Sequence, residues 1–184
     1  MTGTPRIFIT GFMGAGKTTV ARELARVLAC EALDLDEFIT TREGRTPQQL
    51  INEEGEAAFR DVETRALGVA LEKGEARVVA LGGGAWTIER NRAALNAGPD
   101  CFTVWLDAPF ELCWRRVGVP FGEQHERPLA RSRVRALSLY EERRSLYDLA
   151  DARVEVGSED DVRAVAERVL MSAKDYGELR KEKR

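Results

Sequence analysis

The segment GFMGAGKT at residues 11–18 constrains the fold more than any other feature of the chain. It matches the pattern G-x-x-x-x-G-K-[ST], whose glycines let the backbone curl around phosphate oxygens at the positive end of the following helix. The apolar run RIFIT precedes it at residues 6–10, and an amphipathic stretch follows at residues 17–29. The sequence therefore predicts a strand, a phosphate-binding loop and a helix in that order.

This loop supplies most of the expected nucleotide contacts. We expect Lys17 to reach the β- and γ-phosphates of the nucleotide and Thr18 to offer its hydroxyl to Mg²⁺. A purely structural glycine-rich turn is the alternative, and the context of strand and helix argues against it. The expected nucleotide-binding residues of this segment are Gly14, Ala15, Gly16, Lys17, Thr18 and Thr19.

The rest of the chain alternates between two patterns. Short runs rich in apolar and β-branched residues predict further strands at residues 32–36, 76–81, 101–106 and 152–156. An amphipathic stretch at residues 56–73 predicts a helix that ends at Gly74, and a last helix is expected from Ser158 to beyond Leu170. Alternation of strands and helices predicts an α/β fold with a parallel sheet covered on both faces.

Composition narrows the class of protein. The chain has 184 residues and a net charge of −3, with its basic residues scattered, so we expect one domain and no nucleic-acid partner. The three cysteines suggest neither a disulfide framework nor a zinc site, and no apolar run approaches membrane length. We expect a cytoplasmic monomer with one domain at residues 1–175 and a charged tail at residues 176–184.

One segment lacks apolar periodicity. Residues 117–131, VGVPFGEQHERPLAR, have the glycines, prolines and mixed charges of an exposed loop. A loop of this length inside a compact domain is usually functional or disordered. We expect a mobile lid here, which would bring Arg127 onto a transferring phosphoryl group.

Acidic residues follow the predicted second strand. Alternate residues of an extended chain lie on the same side, so Asp34 and Asp36 in ALDLDEF are expected to face the crevice beyond the strand ends. One carboxylate can orient a metal ion through water while the other accepts the proton of an attacking hydroxyl. Asp107 resembles a Walker-B carboxylate, but we favour a capping role for it before the helix expected near Pro109.

Glycines and arginines complete the candidate site. Gly82, Gly83 and Gly84 directly follow the third predicted strand, where missing side chains would let a ligand approach the backbone amides. Arg60 in AAFRDVE and Arg144 in YEERRSLY are suited to bidentate recognition of a carboxylate. Either arginine taken alone would be interpreted as a surface residue.

The motifs GFMGAGKT, DLD, FRDVE, GGGA, RPL and RRSLY, in this order, resemble the motif series of shikimate kinases. The resemblance spans Ile7 to about Leu170. It implies a three-layer, nucleoside-monophosphate-kinase-like fold with a five-stranded parallel sheet in the order 2-3-1-4-5 and a mobile lid. It also implies transfer of the γ-phosphoryl group of MgATP to the 3-hydroxyl of shikimate.

The resemblance assigns roles to the acceptor residues. It implies that Asp36 contacts the shikimate hydroxyl as its base, and that Thr18 and Asp34 serve Mg²⁺. The two arginines would hold the carboxylate of shikimate. The implied shikimate-binding residues are Asp36, Arg60, Gly82, Gly83, Gly84 and Arg144.

On the nucleotide side, Arg127 resembles the lid arginine, and the implied catalytic set is Lys17, Asp36 and Arg127. Arg116 in CWRRVG resembles the residue that packs on adenine, and Arg115 is its rival. The implied cofactors are ATP and Mg²⁺.

Three features depart from the family pattern: Ile51 in the expected substrate pocket, Trp86 after the glycines, and the long lid. They concern the fit of the acceptor and leave phosphoryl transfer untouched. The alternatives are a kinase for another small polyol acid, such as gluconate, and a binding module of the same family that has lost catalysis.

Overall fold

The structure is a computed structural model that describes residues 4–98, 100–118 and 133–182, without the side chains of the last two. The strands are β1 (Arg6–Thr10), β2 (Ala32–Asp34), β3 (Val78–Ala80), β4 (Cys101–Asp107) and β5 (Ala152–Glu155). The helices are α1 (Lys17–Val27), α2 (Leu35–Glu43), α3 (Pro47–Glu54), α4 (Glu56–Lys73), α5 (Glu89–Ala97), α6 (Phe110–Val117), α7 (Arg133–Tyr147) and α8 (Val162–Glu182), and a short 3₁₀ helix spans Ala85–Thr87.

All five strands form one parallel sheet in the order β2-β3-β1-β4-β5, which confirms the expected fold. The central strand β1 and its neighbours β3 and β4 are almost entirely buried, as their continuous apolar runs predict for a sheet covered on both faces. Because the strands are parallel, the segments that follow β1, β2, β3 and β4 meet at one edge of the sheet. The phosphate-binding loop, the DLD segment and the three glycines therefore converge.

Helix α4 has the bounds that the sequence predicts. Its apolar stripe is buried, and it ends at Gly74, whose φ of 64° lies in the left-handed region that favours glycine. The helix packs against α2 and α3, and it carries Arg60 toward the glycines after β3. Helix α3 begins with a capping box in which Thr46 and Gln49 exchange side-chain and backbone hydrogen bonds.

Two helix boundaries differ from the sequence prediction. Helix α2 begins at Leu35, directly after β2, so Asp36 lies in the first turn of a helix and not on an extended chain. Helix α8 begins at Val162, later than the expected start at Ser158, and continues to Glu182. The expected tail is therefore helical over most of its length, while the division of the chain at residue 175 stays a prediction.

The expected lid lies largely outside the described residues. Val117 is the last residue of α6 and Gly118 directly follows it, whereas residues 119–132, including Arg127, are not described. Across the described ranges, no helix combines the length and the apolar character needed to cross a membrane.

Candidate active site

The phosphate-binding loop has backbone conformations that favour glycine. Gly14 has a φ of 79°, and a Cβ at this position would lie 2.5 Å from the carbonyl oxygen of Cys113. Lys17 begins α1 and folds back over the loop, donating to the carbonyl oxygens of Gly11 (2.9 Å) and Phe12 (3.0 Å). The ammonium group is therefore held beside the loop that would carry the phosphates.

Thr18 and Asp34 meet at this loop. The Thr18 hydroxyl donates to Oδ2 of Asp34 at 2.5 Å. The other oxygen, Oδ1, caps α2 by accepting from the backbone N–H of Asp36 (2.9 Å) and Glu37 (3.2 Å). The helix N-terminus thus fixes a carboxylate and a hydroxyl side by side, and both are the hard oxygen donors that Mg²⁺ prefers.

Asp36 lies at the crevice, but a helix positions it and not the extended strand that the sequence predicted. The chain turns from strand into helix between the two aspartates, so alternation along an extended chain does not place them together. Oδ1 of Asp36 instead lies over Gly82, 2.8 Å from where a Cβ would stand. The carboxylate is therefore beside the backbone that follows β3.

A second carboxylate, that of the buried residue Glu63, approaches the same side of Gly82. Oε1 of Glu63 is 2.6 Å from the same Cβ position, so the two carboxylate oxygens lie within 5.4 Å of each other. The Glu63 residue is 1% exposed. Burial raises the pKa of the Glu63 carboxyl to about 7, and the negative charge of Asp36 adds to this, against the opposing effect of Arg60 and Arg143.

Arg60 lies between its carboxylate partners and the glycines. Its guanidinium contacts Glu63 at 2.8 Å and Glu56 at 2.9 Å. Burial acts to lower the pKa of Arg60, but these two carboxylates outweigh it and raise the pKa. A Cβ at Gly84 would stand 2.4 Å from Nη1 of Arg60, so a side chain here would displace the guanidinium from its position. Gly82 and Gly84 thus leave room for three ionisable side chains, those of Asp36, Glu63 and Arg60.

The second arginine of this cluster is Arg143, which sequence reasoning missed. Arg143 is 7% exposed, and its Nη1 donates to the carbonyl oxygen of Gly83 at 3.0 Å. Arg144 points elsewhere, because neighbouring residues of a helix are about 100° apart. The sequence did contain a signal: Ala136, Tyr140 and Tyr147 form the apolar stripe of α7, and Arg143 lies within that stripe.

Arg144 belongs to a cluster at the end of β4. It forms a two-point ion pair with Asp107, with both contacts at 3.2 Å. Arg153 of β5 also contacts Asp107 at 2.6 Å, and both guanidiniums lie over the Trp105 ring. Asp107 makes no capping hydrogen bond to α6, so the favoured capping interpretation was wrong. The carboxylate instead joins α7 to the sheet.

The two adjacent arginines at the end of α6, Arg115 and Arg116, differ in their distance from the phosphate-binding loop. Nη1 of Arg116 lies 3.4 Å from the carbonyl oxygen of Gly14 and 3.6 Å from the position of a Cβ at Gly16. This placement beside the phosphate-binding loop favours Arg116 over Arg115 for contact with a bound nucleotide.

The two residues that depart from the family pattern have different environments. Ile51 is a partly buried residue of α3 that packs against the core. Trp86 is fully buried in the 3₁₀ helix, and its Nε1 donates to the carbonyl oxygen of Leu146 at 2.8 Å. Trp86 is therefore a link between the segment after the glycines and α7.

Comparisons with known proteins agree on one family. The shikimate kinase family model matches residues 13–174. A shikimate kinase of Gloeobacter violaceus is 40% identical over 80% of this chain and 81% of its own, and one of Ruegeria pomeroyi is 36% identical over 94% and 88%. The structure of the Acinetobacter baumannii shikimate kinase in complex with shikimate superposes with a TM-score of 0.85 at 33% identity, covering 95% of this chain and 96% of that one.

The phosphate-binding loop, the Asp36 and Glu63 carboxyl groups and the arginines at the glycines lie at one edge of a sheet with the strand order 2-3-1-4-5. The matches to shikimate kinases extend across nearly the whole chain. The chain belongs to the shikimate kinase family, and it is a kinase.

Proposed function

We propose that this protein transfers the γ-phosphoryl group of ATP to the 3-hydroxyl of shikimate, giving shikimate 3-phosphate and ADP. The observation that carries the proposal is the approach of Arg60 and Arg143 to the Gly83–Gly84 backbone, with the Asp36 carboxylate beside it at Gly82. Two guanidiniums suit an acceptor carboxylate, and an adjacent carboxylate suits an acceptor hydroxyl. Shikimate carries both groups.

The pair of arginines that we propose for the acceptor carboxylate differs from the pair that the sequence suggested. Arg60 keeps its expected role, and Arg143 takes the place of Arg144. Arg144 is engaged with Asp107, whereas Arg143 donates to the glycine segment itself. The role of Arg144 in this proposal is to anchor α7, the helix that carries Arg143.

Asp36 is the group we propose to orient the 3-hydroxyl and accept its proton. Phosphoryl transfer has a loose transition state, so positioning and charge neutralisation supply most of the rate enhancement. Lys17 and the backbone of residues 14–19 would hold the phosphates of ATP. Arg127, which lies outside the described residues, remains the proposed lid contribution to the same charge.

Thr18 and Asp34 are the residues we propose for Mg²⁺. Their oxygens already lie together at the N-terminus of α2, so the donor set fits a metal that is bound by one or two protein groups together with phosphates and water. When bound, Mg²⁺ would neutralise charge on the β- and γ-phosphates. The chain's own part is to hold these two oxygens in place.

A phosphate-transfer screen tests the proposal. Purified protein with MgATP is incubated separately with shikimate, quinate and gluconate, and ADP formation is measured. We expect turnover with shikimate to exceed that with the other two acids. Turnover confined to gluconate would favour the kinase for another polyol acid, and no turnover with any of the three would favour a binding module.

A further inference from the structure

The glycine segment is joined to α7 by the buried side chain of Tyr147. The Tyr147 hydroxyl donates to the carbonyl oxygen of Gly83 at 2.6 Å, and this oxygen also accepts from Arg143 at 3.0 Å. Tyr147 is 1% exposed, and burial raises the pKa of its phenol to about 12, so the hydroxyl stays a donor at neutral pH. One carbonyl thus joins Arg143 and Tyr147, which lie one helical turn apart.

A second hydrogen bond joins the same segment to α7, three residues further along the chain. The Trp86 indole donates to the carbonyl oxygen of Leu146, the residue directly before Tyr147. The backbone after β3 and the last turn of α7 are therefore joined in both directions, by Tyr147 to Gly83 and by Trp86 to Leu146. Both side chains are almost completely buried, so neither tie competes with solvent.

Such ties matter because three consecutive glycines have wide conformational freedom and no side chains to restrain them. A planar trans peptide directs the N–H of Gly84 away from the carbonyl of Gly83, so fixing one fixes the other. The bond to Gly83 also sets the position of Arg143, which we propose for the acceptor carboxylate. A single peptide plane therefore controls both a backbone donor and an arginine of the acceptor site.

We propose that Tyr147 and Trp86 are positioning residues for the acceptor, which they serve by fixing the Gly82–Gly84 backbone and Arg143 against α7. This inference rests on the proposed function for the identity of the acceptor. It assigns a use to Trp86, where the sequence departs from the family pattern. Neither residue touches the reacting atoms, so their effect is on acceptor binding and not on the phosphoryl-transfer step.

The test compares two tyrosines of the same helix. Tyr147→Phe removes the hydroxyl at Gly83 and keeps the buried ring. Tyr140→Phe is the matched control, because the Tyr140 hydroxyl also donates to a backbone carbonyl, that of Ala108 at 3.1 Å, and accepts from Arg144 at 2.7 Å, away from the glycines. We expect the KM for shikimate to rise about 3- to 10-fold in Tyr147→Phe, the loss of one neutral hydrogen bond, and less than about twofold in Tyr140→Phe.

In Tyr147→Phe, kcat at saturating shikimate and the KM for ATP should change by less than about twofold. Trp86→Phe, which removes the donor to Leu146, should shift the shikimate KM in the same direction. This variant keeps the inference testable if Tyr147→Phe fails to fold, which circular dichroism would show.

An activity-independent measurement separates this inference from the proposed function. Amide hydrogen exchange at residues 82–87 in the protein without ligand should be faster in Tyr147→Phe than in Tyr140→Phe. If wild type does not use shikimate, the proposed function falls, and the exchange comparison still decides whether Tyr147 fixes the segment. Equal exchange and equal shikimate KM in the two variants would overturn the inference.

Discussion

The two halves of the site are built in opposite ways. On the nucleotide side, the loop, Lys17 and Thr18 come from one continuous segment, with Asp34 added from the next strand. On the acceptor side, Asp36, Glu63 and Arg143 come from α2, α4 and α7 and meet only around the glycines after β3. The first half is a local backbone structure, and the second is an assembly of buried charges.

This difference determines what each half tolerates. The loop depends on backbone dihedrals and on the start of a helix, which neighbouring residues specify. The acceptor half depends on balanced charges, since Glu63 is 1% and Arg143 is 7% exposed. A change to one charge there alters the pKa or the position of the others. Substitutions on the acceptor side should therefore also alter the pKa or the position of the neighbouring charged groups, whereas those in the loop should not.

The largest effect is expected from Lys17→Ala. Lys17 contacts loop carbonyls and has no part in the core, so the variant should fold normally. Its loss should abolish measurable turnover, a decrease on the order of 10⁴-fold or more, because charge on the phosphates is no longer neutralised. Steady-state kinetics and a thermal melt measure the two parts. Near-normal turnover in the folded variant would remove the loop from the catalytic role.

Asp36→Asn should come next, with kcat lower by roughly two to four orders of magnitude, because a carboxylate that accepts a proton becomes an amide of the same shape. The matched control is Asp34→Asn, which should act chiefly through Mg²⁺ and so be partly relieved by raised Mg²⁺ concentrations. A severe Asp34→Asn together with a harmless Asp36→Asn would reverse the roles of the two aspartates.

Arg143→Ala and Arg144→Ala test which arginine serves the acceptor. A charge-assisted hydrogen bond contributes about 1.5–3 kcal/mol, so Arg143→Ala should lower kcat/KM for shikimate by about 10- to 150-fold. Arg144→Ala should cost less than about threefold, because Arg144 contacts Asp107 and Tyr140 and not the glycine segment, and Asp107 keeps its ion pair with Arg153 at 2.6 Å. Arg143→Lys should recover only part of the loss, since an ammonium lacks the planar two-point geometry. A larger loss in Arg144→Ala would restore the assignment made from sequence.

The smallest effect is a pH dependence through Glu63. Its raised pKa of about 7 means that ionisation near neutral pH places a competing carboxylate on Arg60. The KM for shikimate should therefore rise about three- to tenfold as the pH increases from below to above 7. Glu63→Gln, which cannot ionise, should show a flatter profile. Identical profiles in the two proteins would exclude Glu63 as the titrating group.

The raised pKa of Glu63 also makes the free energy of unfolding depend on pH. The pKa of Glu63 is raised from 4.5 to about 7, so the folded protein keeps this proton to a higher pH than the unfolded chain. Its contribution to the free energy of unfolding is fully present below about 4.5 and is lost as the pH rises through about 7. Urea unfolding of wild type and Glu63→Gln across this range would measure that loss.

Much of the fold followed from the sequence because its signals are local. The five strands, α1 and α4 each have their own apolar pattern. The phosphate-binding loop is identified by a continuous pattern within residues 11–18. Predictions that needed the direction of a side chain were less secure. Alternation along a strand did not apply to Asp36, because α2 begins one residue earlier.

The sequence by itself determined the phosphate-binding loop, the five strands of the α/β fold and the residue types that we propose for the acceptor site. Only the tertiary structure decided that Arg143 and not Arg144 lies at the glycines, and that Glu63 is a buried charge next to Asp36. The physical reason is the range of the interactions. Backbone dihedrals and apolar periodicity are set by neighbouring residues, whereas the pKa of a carboxylate and the partner of a guanidinium depend on elements far apart in the chain.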